Sequence, residues 1–257
     1  MPPGLPTPLS FIDTHCHLDV APLNLDTAAV IGRAVARGVH RIVAPAYDLR
    51  SWSSLCQLRK HAEISIALGL HPWVAPEPLE TQNLRVALLE NRAIAVGEIG
   101  LDSKVSVPLS RQIEVLKQQL QIGLELDLPA LLHCRGAHEQ MLQTLDSYPT
   151  RGVVHAFSRG PELAQRFLDK GLYVAFGGTI TRPNATRARR AAARVPLERI
   201  LLETDAPSIG LDGVPPESVE PHHVADVAVV LAEIRGVSVA EIARVTTQNA
   251  RELFRFP

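Results

Sequence analysis

Apolar positions along this chain switch between two periods. Eight short runs rich in Val, Ile, Leu and Ala, over residues 9–12, 39–46, 64–71, 93–100, 128–134, 152–157, 172–176 and 199–203, have the length and branching of buried strands. Between them the spacing lengthens to that of helices. After an Asp26 N-cap, Ala28, Val30, Ile31, Ala34 and Val35 form an apolar helical face that stops at Gly38. Further helices are predicted over 51–61, 79–91, 110–127, 138–146, 161–170, 186–194, 222–234 and 239–254. The 110–127 helix carries Ile113, Leu116, Leu120 and Leu124 on one stripe, and the 161–170 helix has Pro at its first turn and Gly171 past its end.

Strands and helices alternating in this number specify a closed parallel barrel more naturally than an open sheet. The 257 residues fit one such barrel, for which about 250 is usual. The expected layout is an extended, proline-rich tail over 1–8 and a single barrel domain over 9–257. The tail has no basic n-region and no apolar h-region, so it does not read as a signal peptide. No apolar run reaches about 18 residues, which argues against a membrane span. A net charge of −1 demands no polyanionic partner, so any nucleic-acid contact has to come from local patches. Cys16, Cys56 and Cys134 form no CxxC pair, and three unpaired thiols fit a reducing cytoplasm. Without a GxGxxG or GxxxxGKS turn after the first strand, dinucleotide and P-loop chemistry have no support.

The candidate chemistry lies where strands end. In a parallel barrel that end carries the catalytic groups. Strand one runs into His15 and His17, strand three into His71, strand four into Glu98, strand five into His133, strand six into His155, and strand eight into Glu203 and Asp205. Polar groups in such apolar surroundings are costly to bury unpaired, and convergence on one mouth explains them together. His15 and His17 alternate with Cys16, so the two imidazoles share a face while the thiol points away. Asp13 and Asp19 are available to orient those rings through their second nitrogens. Cys134, beside His133, is likewise expected in packing. His40, His61 and His223 fall outside the pattern and are expected at the surface or in packing. Four imidazoles and two carboxylates exceed the needs of one tetrahedral ion and suit two divalent ions about 3.5–4 Å apart. Hydrolysis at a carbonyl or at phosphorus follows from such a pair.

The motifs FIDTHCHLD, GLHP, VGEIGLD, LLHCRGAHE, GVVHAFS, GGTITRP and LLETDAP resemble, in order and spacing, the TatD family of metal-dependent deoxyribonucleases among the amidohydrolase-like barrels. The match runs from Phe11 into the QNARELF segment, and GGTITRP and LLETDAP look most like the YjjV-type branch. The resemblance implies a (β/α)8 TIM barrel and a divalent-metal phosphodiesterase, of exonuclease type, acting on DNA ends. It implies that His15, His17 and Asp205 hold one ion, that Glu98 bridges, and that His133 and His155 complete the second. Asp205 is also the implied general base. Asp13, Asp19, Asp102 and Glu203 are expected to support the ligands, and His71, Arg135 and Arg182 to meet substrate phosphate, since a guanidinium grips two phosphate oxygens.

The chain departs from the family in a short loop after Asp102 (SKVSVP) without aromatics, and at Val219-Glu-Pro-His-His223, where the family has an asparagine-proline pattern. The basic stretch of Arg187, Arg189, Arg190 and Arg194 reads equally as a phosphate-facing patch or a solvated helix. Imidazole-rich coordination favours Zn or Mn, whereas the family implies Mg. Two alternatives stay open: a two-metal hydrolase of an aminoacyl ester or small acylated metabolite, and a non-catalytic barrel that binds nucleic acid or protein. No obligate protein partner is implied.

Overall fold

The computed structural model describes residues 9–75 and 79–256. The tail expected over 1–8 lies outside the described residues. Strands β1 (Phe11–Asp13), β2 (Val39–Pro45), β3 (Ile64–Leu68), β4 (Ala95–Asp102), β5 (Ala130–Arg135), β6 (Gly152–Val154), β7 (Tyr173–Phe176) and β8 (Ile200–Leu202) pair in parallel in chain order. Backbone bonds from Thr14 N–H to Leu202 O and from His17 N–H to Ala206 O, with a parallel bridge between Cys16 and Ala206, bring the eighth strand back to the first. The result is a nearly closed eight-stranded barrel.

The helices between strands are α1 (Thr27–Ala36), α2 (Leu49–Leu58), α3 (Thr81–Glu90), α4 (Leu109–Glu125), α5 (His138–Ser147), α6 (Pro161–Leu168) and α7 (Thr186–Arg194), and α8 (Val224–Arg235) and α9 (Val239–Phe254) follow β8. Local chemistry sets their ends. The Asp26 carboxylate accepts from Ala29 N–H at the start of α1, and Asp48 and Ser51 form a reciprocal capping box on α2. Gly236, at φ 66°, ends α8 in the left-handed conformation that glycine adopts without strain.

Two apolar layers hold this arrangement. Outside the sheet, residues such as Ile42, Leu68, Val96, Leu120, Phe167 and Phe176 pack between strands and helices. Inside it, Ile12, Val43, Ala67, Ala95, Leu131, Val153, Ala175 and Leu201 come one from each strand, and Ala250, Leu253 and Phe254 of α9 join them. The interior is therefore a packed core, as barrel geometry requires.

Strands are shorter than the apolar runs that predict them. Of the candidate residues, Asp13, Glu98, Asp102, His133 and Arg135 lie within strands; His15, His17, His71, His155, Glu203 and Asp205 lie in the segments just past them. Glu98 sits in the middle of β4, which continues to Asp102, instead of at its end. The C-terminal helix expected from 222 begins as a 3-10 turn, Pro221–His223, before α8.

Candidate metal centre

Alternation explains half of the site. Leu131 and His133 share a face of β5, Val153 and His155 continue one face of β6, and Leu201, Glu203 and Asp205 continue one face of β8. Two strands break that rule. In β4 the pairing with β5 shifts between Val96 and Ile99, both of which pack outward, and Glu98 between them turns into the mouth. Gly97 permits the close approach, since a Cβ there would stand 2.6 Å from Leu131 Cβ. In β1 Ile12 faces the barrel interior and Cys16 the outer layer, so a change of face between them brings His15 and His17 to the mouth.

The donor atoms fall into two sets. In the first, His15 Nε2 lies 3.3 Å from His17 Nε2, 3.2 Å from Glu98 Oε2 and 3.8 Å from Asp205 Oδ1. His17 Nε2 is 3.6 Å from Glu98 Oε2 and 3.4 Å from Asp205 Oδ1. In the second, Glu98 Oε1 lies 2.9 Å from His133 Nδ1, 2.8 Å from His155 Nε2 and 3.3 Å from His71 Nε2, and His133 Nδ1 is 3.1 Å from His155 Nε2. Each oxygen of Glu98 thus faces a different set. The stacked His15 and His155 rings, 4.0 Å apart, join the two.

These separations fit cations. Four donors held tetrahedrally about 2.1 Å from one ion stand about 3.4 Å from each other, and the first set spans 3.2–3.8 Å. Buried polar atoms are normally hydrogen-bonded. Among the described residues, the side-chain atoms that break this rule are His15 Nδ1, His155 Nδ1, Glu203 Oε2 and Asp205 Oδ1, all at this centre. Nitrogen and carboxylate donors in this mixture suit Zn or Mn on ligand softness.

Charge at the centre is strongly coupled. Burial alone would raise Glu98, but the His155, His71, His15 and His133 imidazoles hold it well below the usual carboxylate range. Asp205 is likewise buried, and His17, His155 and His15 outweigh that cost and keep it low. Burial works against charge on His155, yet Glu98, Glu203 and Asp205 carry it up to about 10. His15 drops to about 4 through burial and the neighbouring His155. Burial raises Asp13 to about 7 and Glu203 to about 8.

Asp102 and Glu203 support the ligands, whereas Asp13 and Asp19 do not orient the rings expected of them. Asp13 orients no ring: its oxygens accept from Thr204 N–H, Thr204 Oγ1–H and His15 N–H, because at this point of β1 it faces the β8 turn. Asp19 is half-buried near His17, and no ring bond to it is present among the described residues. The ring-orienting carboxylate is Asp102, 3.3 Å from His133 Nε2, which leaves the Nδ1 lone pair of the neutral ring free to ligate a metal beside Glu98 and His155. Burial would raise Asp102, but the bonds from His133, Trp73 and Lys104 N–H hold it below the usual carboxylate range. Glu203 accepts from Ala156 N–H, fixing a non-glycine residue at φ 48° directly after His155. Asp205 itself sits at φ 53°.

His71 is distinct from its neighbours. Its Nδ1 accepts from Trp73 N–H at 3.2 Å, so in the neutral ring the proton is on Nε2, which points at Glu98 Oε1 as a donor. Burial lowers its pKa and keeps it neutral.

The mouth opens into a cavity of about 460 Å³ lined by both sets except the deeper His15, together with Tyr47, Trp73, Cys134, Arg135, Ala156, Ser158, Ser208 and Ile209. Arg135 is largely exposed there, its nearest carboxylate oxygen 3.9 Å away on Asp102. Arg182 is absent from the lining and donates through Nη2 to Gly210 O at 2.8 Å. Cys134 packs against the outer core as expected but is only half-buried, and its remaining surface lines the cavity because α5 begins only at His138. Cys16 is fully buried as expected. Tyr47 and Trp73 were not among the sequence candidates. The adjacency of Trp73 to the GLHP motif was the available signal.

Residues 12–255 match the family profile described as TatD related DNase. An uncharacterized metal-dependent hydrolase, YjjV of Escherichia coli K12, is 38% identical over 96% of this chain and 98% of its own length. The crystal structure of that TatD homologue superposes with a TM-score of 0.91 at 37% identity, covering 96% of this chain and 98% of the other. A deoxyribonuclease of Homo sapiens, TATDN3, is 30% identical, covering 96% of this chain and 95% of its own. Barrel and centre define the class: an α/β-barrel hydrolase that depends on divalent metal. Within that class the chain belongs to the TatD family.

Proposed function

We propose that the chain is a two-metal phosphodiesterase that removes nucleotides from DNA ends. The observation that carries this reading is Glu98, which offers one oxygen to each of two donor sets. His15, His17 and Asp205 would hold one ion with Glu98, and His133 and His155 the other. When bound, the ions supply acidification of water and neutralisation of phosphate charge.

The remaining steps belong to the chain. Asp205, ionised at neutral pH, accepts the proton of the attacking water. His71 donates through Nε2–H to a phosphate oxygen at the same face, and Arg135 supplies a guanidinium at the cavity rim. Tyr47 and Trp73, 6.2 Å apart and edge to face, wall the cavity with aromatic surface on which a terminal base can stack. A relative named as a deoxyribonuclease supports DNA as the substrate.

The test is metal reconstitution. Apo protein is loaded separately with Mg, Mn and Zn and offered single-stranded DNA and a neutral ester side by side. Metal-dependent shortening of DNA, abolished by His133→Ala at saturating metal, is expected. Ester turnover with intact DNA would instead assign the centre to carbonyl substrates and overturn the reading.

A further inference from the structure

The active-site cavity is not closed on all sides. It shares Cys134, Arg135, His155, Ala156 and Ser158 with a second depression, which adds His138 and Arg159. That depression in turn shares His138 and Arg159 with a third, open one bounded by Arg187 and Arg190 of α7. A continuous trough therefore leaves the metal centre between the β5–α5 and β6–α6 turns and runs to the arginine face of α7.

Its charge is mostly positive, with Glu162 the one carboxylate among the lining residues. Arg135, Arg159, Arg187 and Arg190 follow each other along it, against a whole-chain net charge of −1. Neither Arg159 nor Arg187 has a carboxylate partner among the described residues. The acidic groups nearby are Glu162, which is exposed and 3.4 Å from Arg190, and Glu139, which is paired with Arg166. Other arginines of α7 point elsewhere: Arg189 donates to Ile180 O. Unpaired guanidinia spaced along a trough that begins at a phosphodiesterase centre match the repeating charge of a nucleic-acid backbone.

Building on the proposed activity, we infer that this trough seats the flank of a single polynucleotide strand whose end occupies the metal cavity. Arg159 and Arg187 contact phosphates beyond the scissile one. Substrate affinity then grows with strand length while the chemistry stays in the cavity.

The experiment compares wild type with the Arg159→Gln/Arg187→Gln variant, neither residue lining the active-site cavity. Metal-free protein is titrated with labelled single-stranded DNA and RNA of about ten nucleotides, read by fluorescence anisotropy across a salt series. The variant should bind the preferred strand about tenfold more weakly, with the slope of log K against log salt reduced by about 1.4, near 0.7 per lost phosphate contact. Metal-loaded turnover of bis(p-nitrophenyl) phosphate should be unchanged, and Arg159→Lys/Arg187→Lys should retain most of the affinity. Equal affinity and slope for wild type and variant, or no strand binding by wild type, overturns the trough. Strand binding that depends on the trough without any strand cleavage would leave the trough standing and remove the nuclease reading.

Discussion

At the residue scale, the centre depends on which nitrogen of each imidazole is free. The Asp102 carboxylate accepts from His133 Nε2–H, and the Trp73 indole N–H donates to the same Asp102 oxygen at 2.7 Å. Asp102→Asn should therefore lower metal affinity or activity about 10–100-fold, the usual cost of losing such an orienting partner, with little change in fold. Trp73→Phe should have a smaller effect of the same sign, because it removes one bond to Asp102 and keeps the aromatic wall. Calorimetric metal titration of both variants checks the order. His71 gives the converse case: its proton is held on Nε2 by Trp73 N–H, so His71→Gln, which retains a donor, should preserve metal stoichiometry while raising KM for DNA. Loss of a metal equivalent in that variant would make His71 a ligand.

At the element scale, β4 and its pairing with β5 set the position of the Glu98 carboxylate. Gly100 has φ 152°, and a Cβ there would stand 1.9 Å from His133 O, a backbone atom that cannot step aside. Gly100→Ala should destabilise the protein by well over 1 kcal/mol, roughly, and displace His133 from Glu98. Thermal melts and metal content check this together. The helices were legible because each carries its own signals: the Asp26 and Asp48 caps, the Pro161 start, and the glycine after α8. Strand ends were less legible. Leu70, Ala156 and Phe157 continue the apolar runs of the strands before them, yet the chain has already left the ladder there, as His71 N–H bonding to Tyr47 O beyond β2 shows.

At the scale of the whole molecule, the buried charges make stability depend on pH and metal together. Glu203 has a folded pKa of about 8 against an ordinary 4.5, so its stabilising contribution is full below 4.5 and is lost as pH rises through 8. His155, raised from 6.5 to about 10, loses its contribution over that higher window, in the same direction. Glu98, held low, acts oppositely below its ordinary 4.5, and His15, lowered to about 4, acts oppositely up to its ordinary 6.5, where Asp13, raised to about 7, offsets it. Metal-free protein should accordingly melt at falling temperatures from mildly acid to alkaline pH, and Glu203→Gln should flatten the fall between 4.5 and 8. A divalent ion replaces protons on the imidazoles, so its stabilisation should grow with pH. Differential scanning across pH with and without Zn or Mn reads both effects.

The amino-acid order alone determined the barrel, because eight apolar runs separated by capped helices leave parallel closure as the arrangement that buries every strand. It also determined the chemistry of the mouth, since His15, His17, His133, His155, Glu98 and Asp205 have no role in apolar packing. Tertiary structure decided the rest. The turn of Glu98 into the mouth follows from the β4–β5 register shift, and the face of His15 and His17 from the break after Ile12, neither of which alternation encodes. Asp102 and not Asp13 orients a ring because what a carboxylate bonds depends on the neighbouring strand: Thr204 across from Asp13, His133 across from Asp102. Arg135 and Arg182 look alike in sequence, and only the folded chain separates them, one at the rim and the other bonded to Gly210 O. Residues distant in sequence meet through closure of the sheet, so their pairings are a property of the barrel and not of any local stretch.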